Sequence, residues 1–399
     1  YGELERASNS IAAYLLEKGV AAGDFVALKM GRVKEFLAAV IAVHKIGAAY
    51  VPIDPAGNGE FYFPGRRAIP PEATHVWAQC VSADFSHSED ISVKIPEKYC
   101  VDDHSDAEGT RLSVLTDLHL AAKPWKIRQA LRSAEADTIL LLGDSTNDGL
   151  PEQFEAFSAY IDEDAGDKIV LAVPGNHDML RPAHTPEGGD GAVNYAKFQD
   201  RLLARAEAMG VHAERDRESL AWTVQLGGLD IIGLQCVTTG RKFLFPEGRQ
   251  LDWLETHLKD TDAAWHIILC HAPLLAHNPN RNTGAPYLGK NKRLQELVDR
   301  HGRILFLSGH THISPNNLQG NGEYDEKHGN IYLDCGSVVP TDTGGETGLM
   351  SPDWKDGCIT ELSIREDAVD ICMRSIASGK RFSRGYYRYA TMEKNTKGT

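Results

Sequence analysis

The spacing of apolar and polar positions places the elements of this chain before any chemistry is considered. Leu4, Ala7, Ile11 and Leu15 recur at helical spacing, and Gly19 ends that helix. Residues 25–28 read as a short strand, residues 33–46 as a second helix, apolar on most faces and therefore buried, and residues 47–52 as a returning strand. This is a strand–helix–strand unit behind a leading helix. Gly57-Asn58-Gly59 then reads as a linker. Short β-like runs at 61–63, 74–81 and 91–95, punctuated by Pro64, Pro70, Pro71 and Pro96, form a small β-rich insert, and the polar run 102–108 leads into the next domain.

From residue 111 the pattern becomes regular. Strands at 112–116, 138–142 and 168–173 alternate with helices at 125–134 and 151–164, the order of a parallel sheet. An amphipathic helix at 193–209 carries Tyr195, Phe198, Leu202 and Leu203. Runs 220–226 and 229–236 meet at Gly227-Gly228 as a hairpin. A helix at 247–259, a strand at 265–270, a helix at 290–301 and a strand at 303–307 follow. Residues 330–334 and 358–364 read as late strands of a second sheet. The stretch from Ser378 is basic and polar, with Tyr386, Tyr387 and Tyr389, and reads as a peripheral arm. The expected divisions are 1–56, 57–110, 111–376 and 377–399.

Five of these strands run into a polar cluster. They end at Asp117-Leu118-His119, at Gly143-Asp144-Ser145-Thr146-Asn147, at Gly175-Asn176-His177-Asp178, at His271, and at Gly309-His310-Thr311-His312. Parallel sheets place ligand sites at the carboxyl ends of their strands, so the clusters are expected to form one site. Carboxylate, imidazole and amide-oxygen donors suit manganese, iron or zinc, and the lack of cysteine in the clusters argues against a structural zinc site. Two divalent metals about 3.5–4 Å apart activate water, neutralise phosphoryl oxygens and hold an in-line geometry. One carboxylate must then bridge, and Asp144 at its glycine turn is the natural candidate. Taken singly, each residue has a plainer reading. Asp117 or Asp144 can cap the following helix, Asn176 can sit in a turn, and His271 can be a core histidine.

Composition narrows the partners. Charged residues are 25% and hydrophobic residues 42%, a globular balance, and no apolar run approaches the roughly 20 residues of a membrane span. The formal charge of −14 disfavours long polyanions such as nucleic acid. The seven cysteines, Cys80, Cys100, Cys236, Cys270, Cys335, Cys358 and Cys372, are scattered and odd in number, as buried thiols in a reducing compartment would be. No secretory signal stands at the start given, and a cytoplasmic setting without a membrane is expected.

Two resemblances follow from these residues. The run from Tyr1 to Pro55, densest over Gly47-Ala48-Ala49-Tyr50-Val51-Pro52-Ile53-Asp54-Pro55, resembles the opening of nonribosomal peptide synthetase adenylation domains. Such a domain needs a Ser/Thr/Gly-rich phosphate loop ending in lysine. None follows here, and Thr343-Gly344-Gly345-Glu346-Thr347-Gly348 has no such lysine. Residues 1–56 therefore read as a truncated partial α/β fragment, either an add-on or a docking element for a peptide-synthetase system.

The ordered blocks over about residues 111–340 resemble the calcineurin-like metallophosphoesterase superfamily, whose signature runs D-x-H, G-D-x-x-N/D, G-N-H-D/E, a lone His, then G-H-x-H. The resemblance implies an α/β fold, a four-layer α/β-β/α sandwich of two mixed sheets flanked by helices. It implies a binuclear centre in which Asp117, His119 and His312 hold one metal, Asn176, His271 and His310 hold the other, and Asp144 bridges. It also implies hydrolysis of a phosphodiester or phosphomonoester by a metal-bridging hydroxide. His177 would then contact the phosphate and protonate the leaving oxygen. Asn147 and Asp178 are expected as supports of the ligands. The block spacing is closest to the cyclic-nucleotide phosphodiesterase and purple-phosphatase-like branch. The substrate is expected to be a small phosphorylated molecule, with Arg281 or Lys290 of the loop 273–292 meeting its phosphate and residues 179–192 forming the opposite wall. Alternatives are a phosphatase for a peptide-synthetase-linked metabolite and a scaffold whose hydrolytic function has lapsed.

Overall fold

The structure, a computed structural model, describes residues 2–29, 34–53, 75–79, 91–94, 109–120, 124–180, 190–238, 242–243, 245, 248–261, 263–274, 277, 292–312, 315, 321–339 and 357–390. Arg281, Lys290, residues 61–63, residues 181–189 and residues 343–348 lie outside this set. The chain divides into two compact units, Tyr1–Asp106 and Ala107–Thr399.

The first unit contains α1 (Gly2–Glu17), β1 (Phe25–Lys29), α2 (Lys34–Lys45), β2 (Ala49–Ile53), β3 (His75–Gln79) and β4 (Ile91–Lys94). Its sheet has the order β2-β1-β3-β4. β1 runs parallel to both β2 and β3, and β4 is antiparallel to β3. The segments expected as a fragment and a separate β-rich insert thus share one sheet, because β3 takes the free edge of β1. Val20, Val26, Leu28, Ala39, Val43 and Ala48 form the core. α2 is not buried all round. Ala38, Ala39, Ala42 and Val43 face inward, while Leu37 is 52% exposed. The Lys45 ammonium donates to Glu5 at 2.8 Å, Ser8 at 2.9 Å and Asn9 at 2.6 Å, joining the two helices.

The second unit opens with β5 (Thr110–Leu115), α3 (Pro124–Ser133), β6 (Thr138–Leu141), α4 (Pro151–Asp164), β7 (Ile169–Ala172) and α5 (Gly191–Ala208). It continues with β8 (Ala213–Arg215), β9 (Trp222–Leu226), β10 (Leu229–Gly233), β11 (Val237–Thr238), β12 (Lys242–Phe243), α6 (Arg249–Asp260) and β13 (Trp265–Leu269). It closes with α7 (Lys292–His301), β14 (Ile304–Ser308), β15 (Gly322–Asp325), β16 (Asn330–Asp334), β17 (Cys358–Ile364), β18 (Ala368–Ser375) and β19 (Arg381–Ala390). One sheet has the order β19-β18-β17-β5-β6-β7, the other β15-β16-β14-β13-β10-β9-β8. Both are mixed. β5, β6 and β7 are mutually parallel, as are β10, β13, β14 and β16, with antiparallel strands outside them.

Strand alternation builds the layers. Leu140 and Leu142 from one sheet meet Trp265, Ile267, Leu269, Leu305 and Leu307 from the other in a single cluster between them. The residues pointing the opposite way, Ile139, Leu141, Ile268, Ile304 and Phe306, join helix residues such as Ile127, Leu131, Phe157, Leu254 and Leu297. Strands buried on both faces read as continuous apolar runs, as these do. The indole Nε1 of Trp222 on β9 donates to the Ala172 carbonyl of β7 at 2.8 Å, pinning sheet to sheet.

Two expectations are corrected here. β17, expected in the second sheet, pairs antiparallel with β5 in the first. Residues 381–390 are an edge strand on β18, not a peripheral arm, and Phe382, Tyr386, Tyr387 and Tyr389 are buried. Among the described residues no helix is long and apolar enough to cross a membrane. Cys236, Cys270, Cys335, Cys358 and Cys372 are free thiols, the first four buried.

Candidate metal centre

All five polar clusters lie just past the carboxyl ends of parallel strands. β5, β6 and β7 lead to Asp117, Asp144 and Asn176, and β13 and β14 of the other sheet lead to His271 and His310. Backbone bonds lock the turns together. The Asp144 carbonyl accepts from the amides of Leu118 and His119, both at 2.9 Å, and Gly309 N donates to the His271 carbonyl at 3.0 Å. Asp117, His119, Asp144, His310 and His312 all have positive φ, between 46° and 70°; among the described residues only two other non-glycines, Leu220 and Arg303, do. Such strain collects where the surrounding structure dictates side-chain direction.

Two donor sets result. Asp117, His119, Asp144 and His312 place one donor atom each within 4.8 Å of one another, and Asp144, His271 and His310 do the same. Asp144 belongs to both sets. Its Oδ2 lies 3.8 Å from His119 Nε2 and 3.4 Å from His271 Nε2, while its Oδ1 is turned away to accept the His177 amide at 2.7 Å. The Nε2 atoms of His119 and His312 approach to 3.2 Å, and His312 Nε2 is 3.3 Å from Asp117 Oδ1. Asn176 Oδ1 lies 3.2 Å from His271 Nε2, which brings the amide to the second set. The seven residues expected as ligands thus converge.

Outer contacts orient the imidazoles. His271 donates through Nδ1–H to the Leu142 carbonyl at 2.7 Å, and His312 does so to the Val339 carbonyl at 3.2 Å, so each Nε2 faces the site. His177 donates from Nδ1 to the Asn147 carbonyl at 2.8 Å, and its ring sits edge-on to His119 at 4.8 Å. Asn147, expected as a support, thus acts through its backbone. The Phe243 ring packs 4.7 Å from His310 and 6.3 Å from His271. Val339 and Phe243 carry no local signal in the sequence, because each reaches the site from a part of the chain remote from the polar clusters.

The electrostatics suit cations. Asp117 and Asp144 are fully buried, with no Lys or Arg salt bridge to either among the described residues. With protons as the only counter-charges, burial opposes the charge on His271, but the carboxylates of Asp144 and then Asp117 outweigh it and raise its pKa to about 10. Burial likewise opposes charge on Asp117, yet His312 and His271 bring it down to about 2. Burial holds His119 and His310 at about 4, leaving them as neutral donors, and His310 Nε2 is buried with no hydrogen-bond partner among the described residues. A set of two carboxylates, four imidazoles and an amide oxygen fits divalent cations of the manganese, iron or zinc type. Metal uptake is expected to release protons, since His271 must give up its Nε2 proton to bind. Because its pKa is raised, the proton is present through neutral pH, and apparent affinity should climb with pH toward about 10. Calorimetric titration with Mn²⁺ in two buffers of different ionisation heat checks this; equal heats would contradict it.

Asp178 ties the second and third turns. Its carboxylate accepts from the amides of Gly175 at 3.0 Å, Ser145 at 3.2 Å and Thr146 at 2.8 Å, and from the Thr146 hydroxyl at 2.9 Å. Asp178→Asn turns an NH₂ toward donors, stranding at least one at about 1–3 kcal/mol. Chemical denaturation should show that loss, and metal affinity should fall about 10–100-fold, as for other outer-shell changes. Gly143 has φ +89°, the turn expected before Asp144, and a Cβ there would crowd Gly175 and His271; Gly175 is needed for close approach too, since a Cβ there would lie 2.1 Å from Asp144 Oδ1.

A family model described as calcineurin-like phosphoesterase matches residues 110–314, and one described as AMP-binding enzyme matches residues 1–63. A probable cyclic nucleotide phosphodiesterase from a Synechococcus species is 26% identical over 231 residues, covering 54% of this chain and 78% of its own length. A plipastatin synthase component of Bacillus subtilis is 36% identical over 99 residues, 25% of this chain. The chain spans only 3% of that synthase component. Among solved structures, that of PhoD aligns with a TM-score of 0.46 at 10% identity, covering 77% of this chain and 73% of its own. With the phosphoesterase match extending over just more than half its length, the chain belongs to the calcineurin-like phosphoesterase family.

Proposed function

We propose that the second unit is a binuclear metal-dependent phosphoesterase that hydrolyses phosphodiesters, and phosphomonoesters secondarily. The carrying observation is Asp144 Oδ2, one carboxylate oxygen held between two donor sets. In this reading Asp117, His119 and His312 would hold one cation, Asn176, His271 and His310 would hold the other, and Asp144 would serve both. Bound there, the cations supply Lewis acidity to phosphoryl oxygens and acidify a water. The chain's own groups do the rest. The His177 amide fixes Asp144 Oδ1 and so keeps Oδ2 directed at both sets. The Asn147 carbonyl fixes the His177 ring, which leaves Nε2 to carry the proton given to the leaving oxygen. The Asn176 amide N–H donates to a phosphoryl oxygen while its Oδ1 faces His271.

The resemblance to a probable cyclic nucleotide phosphodiesterase supports the diester preference. The match of residues 1–63 to AMP-binding enzymes supports a second reading, a phosphatase for a metabolite of a peptide-synthetase system. The proposed setting is cytoplasmic, with manganese, iron or zinc as the cations. The test is turnover of bis-p-nitrophenyl phosphate against p-nitrophenyl phosphate with Mn²⁺. Faster diester turnover is expected. A preference for the monoester would favour the phosphatase, and no turnover of either would favour the lapsed scaffold.

A further inference from the structure

A second group of donors lies outside that centre. His277 in the segment after β13, Asp299 in the last turn of α7 and Asp325 at the end of β15 each place a donor atom within 4.8 Å of the others. Two more side chains reach the group. His328 Nδ1 stands 2.6 Å from Asp325 Oδ2 and 3.8 Å from Asp299 Oδ1, and Glu323 Oε1 lies 3.1 Å from His277 Nδ1. We infer that His277, Asp299 and Asp325 form a separate divalent-cation site of the zinc class, with His328 or Glu323 supplying the remaining donor.

Three features carry the assignment. The first is charge. Three carboxylates converge, two from β15 and one from α7, and among the described residues their ion pairs are to histidine alone, with no Lys or Arg. The three carboxylates face only two imidazoles, and the Nδ1 atom of His328 stands between Asp325 and Asp299. A cation answers that charge more fully than one shared proton does. The second is donor type. Two imidazoles among carboxylates select zinc or its borderline neighbours over magnesium and calcium, which favour oxygen alone. The third is support from behind. The His277 ring stacks on Tyr332 at 3.9 Å with planes 3° apart, which fixes its direction. Gln295 Nε2 donates to Asp299 Oδ1 at 2.8 Å and to the Tyr332 hydroxyl at 3.3 Å, holding the carboxylate as outer groups hold metal ligands. The side chains are 14–35% exposed, shielded yet open to an entering ion. The cation would fasten the chain just beyond His271 to α7 and to the edge of its sheet.

The test counts zinc in the whole protein after loading with Zn²⁺ and dialysis, by elemental analysis. His277→Gln removes one donor and leaves the Asp325–His328 pair untouched. Asp299→Asn/Asp325→Asn removes two. Each is expected to bind one equivalent less than the unsubstituted protein, with ester hydrolysis unchanged, and to lose the rise in Tm that the extra equivalent gives. Asp144→Asn is expected to keep this equivalent. Equal zinc in the unsubstituted protein and His277→Gln, both folded by circular dichroism, would overturn the assignment. The count differs or does not whether or not the protein turns over any ester, so failure here is distinguishable from failure of the phosphoesterase reading.

Discussion

Asp144→Asn is expected to lower kcat by about 10³-fold or more and to empty both cation positions together. The magnitude follows from the several kcal/mol that metal ions supply to such transition states, at about 1.4 kcal/mol per tenfold. Both positions should fail because Asp144 Oδ2 faces His119 and His271 alike, and no other carboxylate belongs to both donor sets. Asn keeps the size and one acceptor, so the His177 amide retains a partner and the fold should persist. A contrast sharpens the result. His310→Gln touches one set only and should remove one equivalent of metal where Asp144→Asn removes two. Full activity with an unchanged metal count in Asp144→Asn would sink the binuclear reading.

His177→Gln should act without touching the metals. It is expected to slow hydrolysis by about 10²–10⁴-fold for esters with poor leaving groups, the range for loss of a general acid. For p-nitrophenyl esters, whose leaving group needs no proton, the loss should be much smaller. The Asn147 carbonyl and Asp144 Oδ1 hold His177 through Nδ1 and its amide, not through Nε2, so metal content should stay at the unsubstituted level. Equal losses with alkyl and p-nitrophenyl esters would exclude the acid role and assign His177 to phosphate binding.

What the sequence reveals of this protein depends on range. Asp117, Asp144, Asn176, His271 and His310 are legible because each follows an apolar run long enough to be a strand, and parallel strands aim their carboxyl ends to one side. Helices α4 and α5 are legible from their apolar spacing. The partner of a strand is not written locally. β17 has the same apolar character whether it joins the second sheet or, as it does, lies beside β5. β3 reads as an isolated run and yet completes the sheet of β1. β19 shows a different failure. Its three arginines make it read as polar, while Phe382, Tyr387 and Tyr389 are buried in the cluster between the sheets. The crowding at Gly175 is also invisible in sequence, since it depends on Asp144 arriving from another strand.

The pairing of β17 with β5 sets the order in which this protein can be completed in time. The Ser113 hydroxyl donates to Glu361 at 2.5 Å across 248 positions of chain, so one of the earliest strands of the second unit waits for one of the last. During synthesis β5, β6 and β7 emerge first, carrying Asp117 and Asp144, with one flank of their sheet bare. The strands from β8 to β16 pair mainly with near neighbours and can settle sooner. Long-range pairing of this kind slows folding, and a half-made sheet is exposed to wrong partners. A ribosome stalled before residue 358 would therefore hold nearly all the chemistry of the site on a scaffold that has not yet closed.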